Sequence, residues 1–281
     1  MRTLTLAFLI ALPLPAFGWG EDGHRAVSRI AEYHLTDKAK AAIRDLLGDR
    51  AITDKDVCLW PDMIRGQNAF KTKYPDNQTW HYINLDIADP NPDPVKACVK
   101  NNCTLGAIER FCKVLKDPNV AAQERREALY FVVHFVEDLH QPLHCGSRND
   151  DKGGNRVRAK YLDETPTTAY GPLNLHAVWD TNLVRTALNG LTWEDYAKRL
   201  NDKMSAANQT KWTSTGVADW IIEGHALAKK HAYYGIPNDW PLDGKPFSIT
   251  PEYVKQATPV VELRIQQGGV RLAKVLNEVF E

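Results

Sequence analysis

The chain has 281 residues and balances 35 Lys and Arg against 35 Asp and Glu. A formal charge of zero excludes a protein that holds nucleic acid by bulk charge, so any attraction for phosphate must be local. The length supports one large core, and the absence of a Ser/Gly linker, charge block or repeat favours a single domain.

Met1 to Gly18 reads as a secretory signal peptide. Arg2 gives a positive start, Leu4 to Leu14 is apolar, and Ala16-Phe17-Gly18 places small residues at positions −3 and −1 of a cleavage site. The run is shorter than the roughly 20 apolar residues that span a bilayer. Cleavage between Gly18 and Trp19 leaves 281 − 18 = 263 residues, 19–281, and a balance of 34 − 35 = −1. The expected product is exported, either secreted or periplasmic, and starts with the free amine of Trp19.

The next elements are mostly helical. Thr36 caps a helix over Asp37–Leu47 that Gly48 ends. The prolines at 90, 92 and 94 mark a loop. Asn119 is placed to cap a helix from Val120 to about His140, in which Leu129, Val132, Val133 and Val136 form an apolar stripe. Gly153-Gly154 precede Arg156 to Tyr161, which reads as one arm of a short hairpin. Helices are expected over Thr192–Ala207 and Thr213–Tyr234, and Pro251 opens the last, to about Val279. The fold class is therefore all-α, with a minor β element.

Five cysteines in an exported chain suggest disulfides, with at least one thiol unpaired. Cys98 and Cys103 enclose a polar four-residue loop and are expected to pair, and Cys58 with Cys112 is the second choice. Cys145 directly follows His144, so a zinc-ligand role is weighed there, against a nitrogen-and-oxygen set that needs no sulfur. Asn77, Asn102 and Asn208 begin sequons that have meaning only in a eukaryotic host.

The chemistry lies in His24, Asp62, His81, His134, Asp138, His144, His176 and Asp180. Nitrogen and oxygen ligands without thiolate describe a catalytic zinc cluster better than a structural knot. His134 and Asp138 are four apart, so a helix puts them on one face. His176 and Asp180 repeat the spacing, and His144 follows the helix break at Gln141-Pro142. A buried His bonded to Asp explains one such pair as well as a metal does, but two pairs with a histidine between them are harder to explain that way.

With these residues in order, the chain resembles the S1/P1 nuclease family and looks like a bacterial-type member. The resemblance is carried by Trp19 with His24 five later, Trp60-Pro61-Asp62, Trp80-His81-Tyr82-Ile83-Asn84, the segment from His134 to His144, Gly153-Gly154-Asn155, and Leu175 to Asp180. It implies a helical phospholipase C/P1 nuclease-like fold and three zinc ions. One would be held by Asp62, His81, His134 and Asp138. A second would take the Trp19 amine and carbonyl, His24, and Asp138 as a bridge. The third would take His144, His176 and Asp180. Three Zn²⁺ bring +6 and three aspartates −3, so the cluster is net +3 and can gather phosphodiesters on a near-neutral chain.

The implied reaction is in-line attack on phosphorus by a hydroxide shared between the two zincs that Asp138 bridges. The third zinc stabilises the leaving 3′ oxygen, so the products carry 5′ phosphates. Arg65, three after Asp62, is expected to neutralise charge on phosphate oxygens. Tyr82 is expected to stack on a base and Asn84 to bond its edge, where fungal members often have Phe and Asp. The substrates implied are single-stranded DNA, RNA and nucleotides, with 3′-nucleotidase activity as an extension, and no membrane or obligatory protein partner. His140 reads as structural, as do Trp60 and Trp179. The alternatives are a zinc-dependent phospholipase C and a zinc-stabilised binding protein.

Overall fold

Helix Ala122–Asp138 is buried on every side from Glu127 to Asp138, the signature of a helix that runs through a core. This is a computed structural model, and it describes residues 19–162, 167–168 and 171–281. The leader expected over Met1–Gly18 lies outside them. The expected stripe of Leu129, Val132, Val133 and Val136 is fully buried. Asn119 does not cap this helix. Its backbone and side-chain N–H groups both donate to Asp117 Oδ1, which holds it in a turn, and the helix opens at Ala121 without a side-chain cap.

The other long elements are Glu21–His34, Asp37–Leu47, Thr104–Lys116, Trp193–Asp202, Val217–Leu227 and Pro251–Phe280. Thr36 and Gly48 bound the second as expected. The helix read as Thr192–Ala207 is two, because Thr192 caps Trp193–Asp202 and Ser205 starts a separate helix, Ala206–Thr213. The helix expected from Thr213 begins at Val217, where Asp219 bonds back to the Gly216 amide. It continues into a wide helical turn, Ala228–Ala232. Within the expected proline loop, Pro94 opens one helical turn, Pro94–Ala97, capped by Asp93.

The closing helix crosses Glu21–His34 at backbone distance. A Cβ on Gly269 would lie 2.3 Å from Ile30 Cγ2, so only glycine admits this approach. The same helix carries Arg264, whose buried guanidinium donates to the carbonyls of Leu139 (3.2 Å) and His140 (3.0 Å). It thereby satisfies carbonyls left open at the end of the helix that bears Asp138.

Strands are few. The hairpin arm expected over Arg156–Tyr161 is met only by one isolated antiparallel bridge, Arg158 with Asn174, flanked by Ala159 N–H to Leu173 and Leu175 N–H to Val157 at 2.8 Å each, and the strand itself is Ala159–Tyr161. Its regular ladder, unforeseen from the sequence, is parallel to Phe247–Ile249. A second parallel pair, Leu85–Asp86 with Gly146–Ser147, ties the chain after His81 to the chain after His144. Two large apolar clusters make the core, one around Trp80, Phe131 and Phe135, the other around Trp19, Leu143, Trp179 and Tyr253. Cys98 and Cys103 form the expected disulfide. Cys58 and Cys112 do not pair and both are free thiols. Among the described residues, no helix is long and apolar enough to cross a membrane.

Candidate metal centre

Asp62 sits in a helical turn, Trp60–Met63, with Pro61 at its start. His81 follows a 3₁₀ turn, Asn77–Thr79. His144 closes the 3₁₀ turn Pro142–His144, which the Gln141 side chain caps. Asn174 caps the turn holding His176, and the chain then widens into a π-helical turn, Val178–Asn182, that contains Asp180. The four-residue interval is thus met by a π turn, a form frequent at functional sites. His176 Nε2 lies 3.5 Å from Asp180 Oδ2.

Three groups of ligand atoms converge. They are Asp62, His81 and His134; His144, His176 and Asp180; and His24, His134 and Glu137. Each offers atoms within 4.8 Å of one another, and every residue is buried. Asp138 joins the first and last of these. Its Oδ2 lies 2.8 Å from His81 Nδ1 and 3.0 Å from His134 Nε2, while Oδ1 lies 3.5 Å from His24 Nε2. Two oxygens facing two groups is the arrangement a bridging carboxylate needs.

The histidines are held by their other nitrogen. Nδ1 donates to a backbone carbonyl in His134 (Cys58, 2.7 Å), His144 (His81, 2.8 Å) and His176 (Gly153, 2.7 Å). A carbonyl only accepts, so each Nδ1 carries a proton; in His144 and His176, which burial keeps neutral, an Nε2 lone pair is then turned into the site, and His134 can offer the same once its Nε2 proton is displaced. Gly153 is required here: its φ is +62° and a Cβ would lie 2.3 Å from the Leu143 oxygen. Metal-binding histidines are oriented in this way.

Burial sets the protonation states. Desolvation, followed by His134 and His144, pushes His24 well below the usual imidazole range. Burial likewise lowers His81 and His144, and brings His176 to about 4. At His134 the pull of Asp138 and Asp62 overcomes burial and raises the pKa. Burial lifts Asp138 to about 6 and Asp180 well above the carboxylate range. His24 Nε2, His81 Nε2, Asp62 Oδ2 and Asp138 Oδ1 are buried without hydrogen-bond partners. Such atoms are costly unless something binds them, and a divalent cation suits this donor set.

The remaining expected residues fall around the centre. Arg65 Nη1 donates to Asp62 Oδ1 at 2.9 Å. Tyr82 is half-buried and Asn84 exposed, one and three residues beyond His81. The Trp19 side chain is buried and its indole donates to the Glu137 carbonyl (3.1 Å). Gly20 N–H donates to the Asp180 carbonyl (2.7 Å), which draws the start of the domain to the site. His140 stands apart, donating to Val136 and facing Arg271. Cys145 donates to the Leu139 carbonyl. Trp179 packs in the core with its indole on Tyr253, and Trp60 packs against Phe131.

Three contributors escaped the sequence reading. Glu137 contacts His24, Ser28 contacts Glu137, and Gln141 donates to Asp180 Oδ1 at 2.6 Å. None has a spacing signal. Only the position of Glu137, directly after the largely apolar run from Ala128 to Val136, hinted at burial.

This helical fold with a buried His/Asp centre belongs to the S1/P1 nuclease family, whose model matches residues 19–281. The chain is therefore a nuclease, a hydrolase of nucleic-acid ester bonds. It is 32% identical to Endonuclease 2 of Arabidopsis thaliana, over all of this chain and 96% of that protein. It is 28% identical to Nuclease S1 of Aspergillus oryzae, covering 96% of this chain and 95% of the relative. Nuclease P1 of Penicillium citrinum is 25% identical over 93% of this chain and 97% of the relative. These relatives favour a nuclease over a phospholipase C or a binding protein.

Proposed function

We propose that the protein is an exported, three-zinc endonuclease that cleaves single-stranded DNA and RNA to products with 5′ phosphates. The observation that carries the reading is the split of Asp138, one oxygen toward His81 and His134 and the other toward His24. Asp62, His81, His134 and Asp138 would hold one ion. The Trp19 amine and carbonyl, His24 and Asp138 would hold the second. His144, His176 and Asp180 would hold the third. The chemistry zinc supplies when bound is a water acidified to a pKa of roughly 7 and neutralisation of phosphate charge.

The chain's own groups do the rest. Asp62 anchors the Arg65 guanidinium, which is presented to a phosphate oxygen and lowers the barrier where charge accumulates. Tyr82 offers a ring for a base to stack on, and Asn84 offers donor and acceptor to its edge. Stacking accepts any base. Gln141 and the Gly153 carbonyl hold Asp180 and His176 in place, so the site is organised before substrate arrives. The ligand atoms are recessed, which favours an exposed strand over a duplex that must first release its bases. The same site accommodates 3′-nucleotides as small substrates.

Export is supported by the leader and by a family match that starts at Trp19. We read the enzyme as a monomer without an obligatory protein partner. The test is metal analysis of processed protein together with cleavage of single-stranded DNA, with and without chelator, and end-group analysis of the products. Full activity in metal-free protein, or 3′-phosphate ends, would refute the proposal.

A further inference from the structure

Glu137 is a fully buried acid to which the reading above gives no role. Its Oε2 lies 2.7 Å from His24 Nδ1 and its Oε1 accepts from the Ser28 hydroxyl at 2.5 Å. Its carbonyl accepts from the Trp19 indole. On the far side of the His24 ring, Nε2 has no hydrogen-bond partner and lies 3.5 Å from Asp138 Oδ1, which also has none. The order in space is carboxylate, imidazole, gap, carboxylate. That is the arrangement in which a carboxylate orients a metal-ligating histidine and raises its basicity.

We propose that Glu137 is a positioning residue for the metal ion at the amino-terminal end of the site. Its side chain fixes the His24 tautomer, with the proton on Nδ1 and the lone pair of Nε2 facing the gap, while its main chain seats Trp19. One residue thereby assembles both pieces that the amino-terminal segment contributes. Glu137 is grouped with His24 and His134 closely enough to be considered a ligand itself. The geometry points away from that, because each of its oxygens is already engaged, one by Ser28 and the other by His24. The proposal rests on the zinc reading above.

The test compares zinc binding in processed wild type, Glu137→Gln and Glu137→Ala by metal analysis and chelator competition. Gln keeps an oxygen for His24 but replaces the acid with an amide, and Ala removes the contact altogether. One of three zinc equivalents should weaken, about tenfold in Gln and up to about a hundredfold in Ala, with the other two unchanged. The melting temperature of metal-free Glu137→Gln should not fall below wild type, while its rise on adding zinc should be smaller. If Glu137→Ala does not fold, Glu137→Gln carries the comparison alone. Equal weakening of all three equivalents, wild-type affinity in both variants, or a zinc-loaded crystal structure with Glu137 on the metal overturns the proposal. Wild type that binds three zincs beside unaffected variants removes this inference alone, whereas wild type that binds none removes the zinc reading as well.

Discussion

His144 and His176 face each other through their Nε2 atoms at 3.1 Å. Both Nδ1 protons are committed to backbone carbonyls, and burial depresses both imidazoles. Two neutral rings therefore point lone pairs at one another across a space that Asp180 also borders. A cation shared by all three resolves the conflict. His176→Ala should remove one zinc equivalent and lower kcat at least about a hundredfold. Metal content measured beside turnover checks this, and three retained equivalents would count against it.

Asp138 is placed between two groups, so its loss should be felt twice. Asp138→Asn should weaken two of three zinc equivalents and abolish cleavage, whereas His176→Ala affects one. Stepwise chelation of wild type should lower activity in parallel with zinc content, and added zinc should restore it. Near-normal turnover in Asp138→Asn would sink the assignment.

Arg65 contacts Asp62 and so lies at the edge of the centre. Arg65→Ala should lower kcat about 10²–10³-fold, as loss of a donor at developing charge does elsewhere. Arg65→Lys should recover part of this, because it keeps the charge but not the planar fork. Unchanged zinc content in both variants separates a phosphate role from support of Asp62, and a loss of zinc in Arg65→Lys would favour support.

Tyr82 should affect binding more than chemistry. Stacking contributes about 1–3 kcal/mol per base, so Tyr82→Ala should raise KM for single-stranded DNA about five- to a hundredfold with a smaller change in kcat. Tyr82→Phe should behave like wild type. An unchanged KM in Tyr82→Ala would make this a packing residue.

The metal-free protein should be acid-sensitive. Burial, then Arg264 and Arg271, holds His140 well below the usual imidazole range, and His24, His81 and His144 are lowered too. A depressed folded pKa means that the unfolded chain takes up protons first. Stability is then full above about pH 6.5 and falls below it, by about 1.4 kcal/mol per unit for each such histidine until its folded pKa is reached. The raised His134 and the buried acids Glu137, Asp138 and Asp180, whose raised folded pKa values favour the fold as pH falls, oppose this in part. Melting temperatures of chelated protein from pH 7.5 to 5 test the sign, and a rise toward acid would contradict it.

Local signals were legible where the chain alone decides the outcome. Thr36 and Gly48 bound a helix because the cap and the left-handed residue act within a few positions. Asn119 failed as a cap because Asp117, two residues away, took its amide. Ser205 split an expected helix by offering a second cap. The Cys58–Cys112 pairing failed because a bond between distant thiols depends on packing that spacing does not report. The loop-closing Cys98–Cys103 bridge depends on proximity along the chain.

By itself the sequence determined which atoms can bind a cation, how many charges they bring, and that His134 and Asp138 share a helix face. Those properties follow from residue type and from a period of 3.6. Only the tertiary structure decided which Asp138 oxygen faces which histidine, that carbonyls from Cys58, His81 and Gly153 fix three imidazole tautomers, and that Glu137 lies behind His24. A backbone carbonyl has no identity in a sequence, and burial converts an ordinary glutamate into part of a site only when distant segments close over it.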